Sequence, residues 1–241
     1  MYRTPLRAWS CTAAATATVC ATVLAASPAE ASVIWDADAS QGVGVFVTTL
    51  CDSPGSVTSG DWGDGHGPFF KFNKPVGTPR CEAHSVRTSS GEYTFRDDST
   101  YWFGWDSMTK TGNAQTVFQW KSNGTNDQNS QNYPVLMKVE DDQLKVWYVA
   151  PGETWISIGT TPWTAGEWHS IQLGITTDAD GAGTLSVYKD GALFASRTGA
   201  RTWDDLGNKP RWGTYFGTDD TTASINWVAG LSMGTTRSDV D

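Results

Sequence analysis

Three short segments of the chain concentrate side chains able to move protons and hold anions. In Pro79-Arg80-Cys81-Glu82-Ala83-His84-Ser85, alternate positions carry Arg80, Glu82 and His84. Residues two apart on an extended strand share a face, so these three ionisable groups stand together, with Cys81, Ala83 and Ser85 opposite. Such a face is too charged for a core. It is either a functional surface or a solvated Arg–Glu pair beside a histidine. In Val117-Phe118-Gln119-Trp120-Lys121, Gln119 and Lys121 share a face backed by Phe118 and Trp120. That pattern suits the wall of a groove and equally suits a solvated sheet surface. In Lys209-Pro210-Arg211-Trp212-Gly213-Thr214-Tyr215, Arg211 and Tyr215 share a face, and Gly213 between them leaves room for a ligand against the backbone. By itself Tyr215 also reads as a sandwich tyrosine whose hydroxyl bonds backbone. As a set, guanidinium and amide groups can neutralise a carboxylate, while imidazole and phenol can take and return a proton.

The order of these segments carries a resemblance. Arg80-x-Glu82 is followed by Gly91-Glu92-Tyr93, Tyr101-Trp102-Phe103-Gly104-Trp105, Phe118-Gln119-Trp120-Lys121, Glu167-Trp168-His169 and Arg211-Trp212-Gly213-Thr214-Tyr215. From about Arg80 to Phe216 the chain resembles the jelly-roll polysaccharide lyases, nearest to the glucuronan lyase and heparin lyase I type. Alginate lyases of that fold use Arg-x-Glu-x-Arg and Gln-x-His strands; here His84 and Lys121 stand where the last Arg and the His would be.

The resemblance implies a single-domain, all-β antiparallel jelly roll, a two-sheet sandwich with a concave groove. It further implies cleavage of a β-1,4-linked polyuronate, glucuronan first and alginate next, by β-elimination to 4,5-unsaturated ends, with no cofactor. The C5 proton of a uronate is weakly acidic, so its carboxylate must be neutralised before an enolate-like state forms. Gln119 takes that role by resemblance, helped by Arg80 or Arg211. Lys121 and Arg87 extend the cationic lining, and Glu82 orients Arg80 or a neighbouring polar group. Tyr215 is the acid. With glucuronate or mannuronate, C5–H and O4 lie on one side of the ring and Tyr215 could serve both steps. With guluronate or iduronate they lie on opposite sides, and His84 would be the base. A phenol acting as a base needs positive charge nearby, and Arg211 is the expected source.

These side chains need strands to position them. Aromatic or alternating runs recur between turn residues at Tyr101 to Ser107, Thr116 to Trp120, Val135 to Glu140, Leu144 to Val149, Trp168 to Thr176, Thr184 to Lys189, Trp212 to Phe216 and Ile225 to Met233. Asp141-Asp142 and Lys189-Asp190-Gly191 are turn chemistry, the latter a hairpin signal. No segment sustains a helical apolar period, and no linker or repeat divides the chain.

Arg3 and Arg7, an Ala-rich apolar stretch and Ala29-Glu30-Ala31 read as a secretory signal over residues 1–31, leaving residues 32–241 as the secreted catalytic domain. Residues 32–241 carry 15 basic and 25 acidic side chains, a net charge of −10, which argues against nucleic-acid and anionic-membrane partners. The expected partner is an anionic polysaccharide met by a monomer through a local basic patch. Cys51 and Cys81 are the two cysteines left in an oxidising compartment and are expected to pair; a loop of about 30 residues is worth roughly 3 to 4 kcal/mol in the chain-entropy model. Asp36, Asp38, Asp178 and Asp180 could hold a structural calcium or serve as turn residues.

Two other functions fit parts of the chain. A noncatalytic carbohydrate-binding jelly roll would use the twelve tryptophans of residues 32–241, but has no need of Gln119, His84 and Tyr215 among cations. A glycoside hydrolase needs two carboxylates at about 5 to 9 Å. Glu82, Glu92, Glu140, Glu153 and Glu167 are the glutamates available, and none forms a closely spaced acidic strand motif.

Overall fold

A computed structural model describes residues 1, 32–124 and 131–241, so the segment read as an export signal lies outside the described residues. The strands in chain order are β1 (Trp35–Ala37), β2 (Thr48–Cys51), β3 (Ser56–Gly60), β4 (Phe69–Lys74), β5 (Arg80–His84), β6 (Arg87–Thr88), β7 (Gly91–Glu92), β8 (Thr100–Thr109), β9 (Gln115–Ser122), β10 (Val135–Glu140), β11 (Gln143–Ala150), β12 (Thr154–Pro162), β13 (His169–Thr176), β14 (Gly183–Lys189), β15 (Ala192–Ala200), β16 (Asn208–Tyr215) and β17 (Ser224–Gly234). Two antiparallel sheets stack as a sandwich, the expected all-β class. One runs β15-β14-β13-β8-β17-β4-β3 with β1 beside β17; the other runs β12-β11-β10-β9-β16-β5-β2. The β6–β7 pair stands apart from both. Among the described residues, helical structure is limited to 3-10 turns at Ala39–Gln41, Val43–Val45 and Arg237–Val240.

Hairpin chemistry fixes the neighbours of several strands. Asp141 and Asp142, both at φ 55°, join β10 to β11, and Asp190 (φ 50°) with Gly191 (φ 78°) joins β14 to β15. Two successive left-handed residues match the twist of the flanking strands. Between the sheets, Trp105 of β8 stacks on Phe118 of β9 at 5.3 Å, and Phe103 meets Trp212 of β16 edge-on at 6.0 Å. Phe118, Trp120 and Trp212 are all but fully buried. Aromatic rings of this size bury about 150–250 Å² each, so they anchor the inner faces of β9 and β16 firmly. The outward faces of the same strands are thereby fixed as well, because side chains alternate.

Strand β5 completes this surface. Cys81 and Ala83 lie in the core, and Cys81 is bonded to its register partner Cys51 on β2. The expected disulfide is present. Gly213, at φ 148°, sits opposite Glu82, and a Cβ there would lie 2.2 Å from the Cys81 carbonyl oxygen. Its small size therefore serves the close approach of β5 to β16, not the approach of a ligand as the sequence suggested. The calcium expectation also changes. Asp38 caps Ser40, and Asp178 accepts from the backbone N–H groups of Asp180 and Ala182 in a turn. No grouping of three or more metal-ligating side chains occurs among the described residues.

Candidate active site

Strands β5, β16 and β9 are adjacent, and their register brings the three sequence segments onto one outer face. His84, Arg211 and Gln119 lie in one cross-strand line; Arg80, Tyr215 and Thr116 lie in another; Glu82 stands between them opposite Gly213. Two bulges break the lattice. Between Trp212 and Tyr215, β16 carries an extra residue relative to β9, and Val117 is extra on β9 relative to β10. Bulges re-aim side chains. Here the extra Val117 turns into the core, so Thr116 joins Tyr215 on the outer face although strict alternation would bury it with Phe118.

The centre of the cluster is a buried carboxylate among cations. Glu82 is 2% exposed; its Oε1 accepts from Gln119 Nε2 at 2.5 Å, and Arg80 Nη1 lies 3.9 Å from Oε2. Burial pushes the Glu82 carboxyl up, against the opposing pull of Arg211, the Gln119 bond, Arg80 and Lys121. Burial also lowers Arg211 and takes Lys121 down to about 8, with Arg211 next among the causes for Lys121. His84 is driven down to about 3 by burial first and then by Arg211, Lys209, Arg80 and Lys121, so it is a neutral imidazole at neutral pH. Glu82 Oε2, His84 Nε2 and Arg211 Nε are buried without a hydrogen-bond partner among the described residues. Polar atoms are seldom left so in a folded protein, and three together mark a surface arranged for something other than stability.

A cavity of about 260 Å³ opens on this face, lined by Gln119 and Tyr215 together with Gln115, Thr116, Tyr133, Leu136, Lys138, Trp155, Phe216 and Gly217. A larger one of about 350 Å³, lined by Ser85, Glu92, Tyr93, Asn208 and Lys209, contains neither Gln119 nor Tyr215. The Arg80 guanidinium lies over the Tyr215 ring, 4.6 Å from its centroid, and Arg211, the expected source of positive charge, stands opposite Gln119 and His84 within electrostatic reach of Tyr215. Lys121 is close enough to act on Arg211 and Glu82 but is held by Asn132 and by the Gly124 carbonyl. Arg87 is not brought to the site. Strand β5 ends at His84, Ser85 turns the chain at φ 62°, and Arg87 on β6 donates to the carbonyls of Phe46 and Val47. Its proposed place in the cationic lining is therefore withdrawn.

The polysaccharide lyase family model matches residues 55–228. The chain belongs to the polysaccharide lyase family. Among solved structures, the endo-β-1,4-glucuronan lyase of the fungus Trichoderma reesei superposes with a TM-score of 0.61 at 17% identity, over 81% of this lyase and 93% of that chain. The alginate lyase of Aplysia kurodai gives 0.59 at 13% identity, over 86% and 100%, and the Chlorella virus alginate lyase 0.57 at 12%, over 85% and 100%. At these identities the likeness is one of fold. No protein of curated function matches the lyase by sequence.

Sequence reasoning missed Thr116, Tyr133, Lys138 and Trp155. Thr116 depends on a bulge, and Tyr133 lies in a connection with no periodic pattern. Trp155 belongs to β12, whose residues are exposed or half-buried throughout and so lack a strand's usual alternation.

Proposed function

We propose that the lyase is exported and cleaves a β-1,4-linked polyuronate, glucuronan before alginate, by β-elimination. The observation that carries this reading is the meeting of Gln119, Arg80, Arg211 and Tyr215 on adjacent strands, with Gln119 and Tyr215 opening on one cavity. Export is supported by the basic, apolar and small-residue pattern of residues 1–31 and by the Cys51–Cys81 disulfide.

In the proposed mechanism the Gln119 amide, oriented by Glu82, donates its second N–H to the sugar carboxylate. Arg80 and Arg211 add positive field, and together they stabilise the enolate-like state at C5. Tyr215, acting as the phenolate, removes the C5 proton. The C5–H electrons become the C4=C5 double bond as the C4–O4 bond breaks, and the new phenol returns a proton to the departing O4. Arg80 over the ring supplies positive charge beside the phenolate. His84 remains a neutral neighbour of Arg211 and lies outside the cavity that Gln119 and Tyr215 line. A single proton-transfer residue suits glucuronate, whose C5 proton and O4 share one side of the ring.

Ultraviolet absorbance during incubation with glucuronan, alginate, heparin and a neutral β-glucan tests the reading. A rise with glucuronan above the others is expected. A rise only with guluronate-rich alginate would transfer the base role to His84, and no rise with any polyuronate would refute the reading.

A further inference from the structure

The cavity beside Tyr215 holds more than the reacting groups require. Among the described residues its lining contains one ammonium, Lys138, and no carboxylate, in a chain of formal net charge −9. Lys138 lies in line with Tyr215 across Thr116 of β9. Two inter-strand steps separate Lys138 and Tyr215, about 10 Å between backbones. Lys138 can thus meet a sugar next to the one that reaches Tyr215. Among the described residues Lys138 pairs with no carboxylate, whereas its cross-strand neighbour Lys145 is held by Glu140 at 3.3 Å and Asp141 at 2.9 Å.

The Lys138 ammonium lies 5.2 Å from the centroid of the Trp155 ring. Trp155 remains 39% exposed and is braced by Trp147 at 5.7 Å and Tyr133 at 5.8 Å. Tyr133 in turn donates its hydroxyl to Glu153, which sits at φ 56° in the turn between β11 and β12. A non-glycine residue enters that left-handed region at a cost and stays there only when contacts hold it. The clamp fixes the turn that carries Trp155, so the indole is set before a ligand arrives. An indole edge or face takes the C–H surface of a pyranose, and an adjacent cation selects a sugar that bears a carboxylate over a neutral one.

We propose that Lys138 and Trp155 form a subsite for a second uronate unit, adjacent in the polymer to the unit that undergoes elimination. This rests on the polyuronate reading above.

The test measures binding of β-1,4-glucuronan by affinity electrophoresis, and kcat and KM by absorbance, for the wild type, K138Q, K138R and W155A. Roughly tenfold weaker binding is expected for K138Q and W155A, about 1.4 kcal/mol. KM should rise by more than kcat falls, the K138Q loss should shrink at high salt, and K138R should recover most of it. Wild-type binding matched by K138Q and W155A would overturn the subsite even if elimination proceeds. Binding that the two variants lose, in a wild type that eliminates nothing, would refute the lyase mechanism and leave the subsite standing. A wild type that neither binds nor cleaves glucuronan would overturn both.

Discussion

Replacing His84 with glutamine should flatten the acid side of the stability profile. The imidazole is 6% exposed, lies opposite Arg211, and is within electrostatic reach of Lys209, Arg80 and Lys121. Burial, reinforced by those cations, holds its pKa at about 3 against 6.5 for the free side chain. Between these values the unfolded chain binds a proton that the native state refuses. The group's stabilisation is therefore fully present above pH 6.5 and is lost as the pH falls toward 3. At about 1.36 kcal/mol per pKa unit the whole window is worth on the order of 5 kcal/mol, and water entering the groove reduces it. Urea unfolding of wild type and H84Q at pH 7.5, 6, 5 and 4 reads this as a difference. Glu82, raised by burial, works in the opposite direction because it gains a proton more readily when folded, and it largely cancels in that difference. The wild type should lose up to about 1.4 kcal/mol per pH unit relative to H84Q below pH 6.5. A pH-independent difference, or a His84 Cε1 resonance that titrates near 6.5, would refute the reasoning. So would an acid limb near 6.5 in kcat/KM that disappears in H84Q, since that would make His84 the base.

Three further outcomes follow from the geometry. Tyr215→Phe should lower kcat on glucuronan by roughly 10²–10⁴-fold while binding persists, measured by absorbance and affinity electrophoresis; turnover near wild type would remove Tyr215 from proton transfer. Gly213→Ala should destabilise the fold by about 2–4 kcal/mol in urea titration, because the added Cβ would lie 2.2 Å from the Cys81 carbonyl oxygen at a φ of 148°. The double variant C51A/C81A should lose roughly 3 to 4 kcal/mol, seen as a lower Tm that reductant no longer changes.

What the sequence determined by itself was whatever a strand's period of two can encode. Cys81 and Ala83 face inward while Arg80, Glu82 and His84 face outward, and Phe118 and Trp120 oppose Gln119 and Lys121, because alternation is local and needs no partner strand. The Asp141-Asp142 and Asp190-Gly191 hairpins were legible for the same reason: their backbone conformation is a property of adjacent residues. The tertiary structure decided which of these faces adjoin. Gln119, Glu82 and Tyr215 are far apart in the chain, and only the order β9-β16-β5 makes them neighbours. It also set Arg80 over the Tyr215 ring, removed Arg87 where the chain turns at Ser85 after β5, and moved Thr116 to the outer face through the bulge at Val117. His84 shows the difference most clearly. Its place on the reactive face follows from alternation, but its charge state follows from burial beside four cations drawn from three strands, and no local pattern records that field.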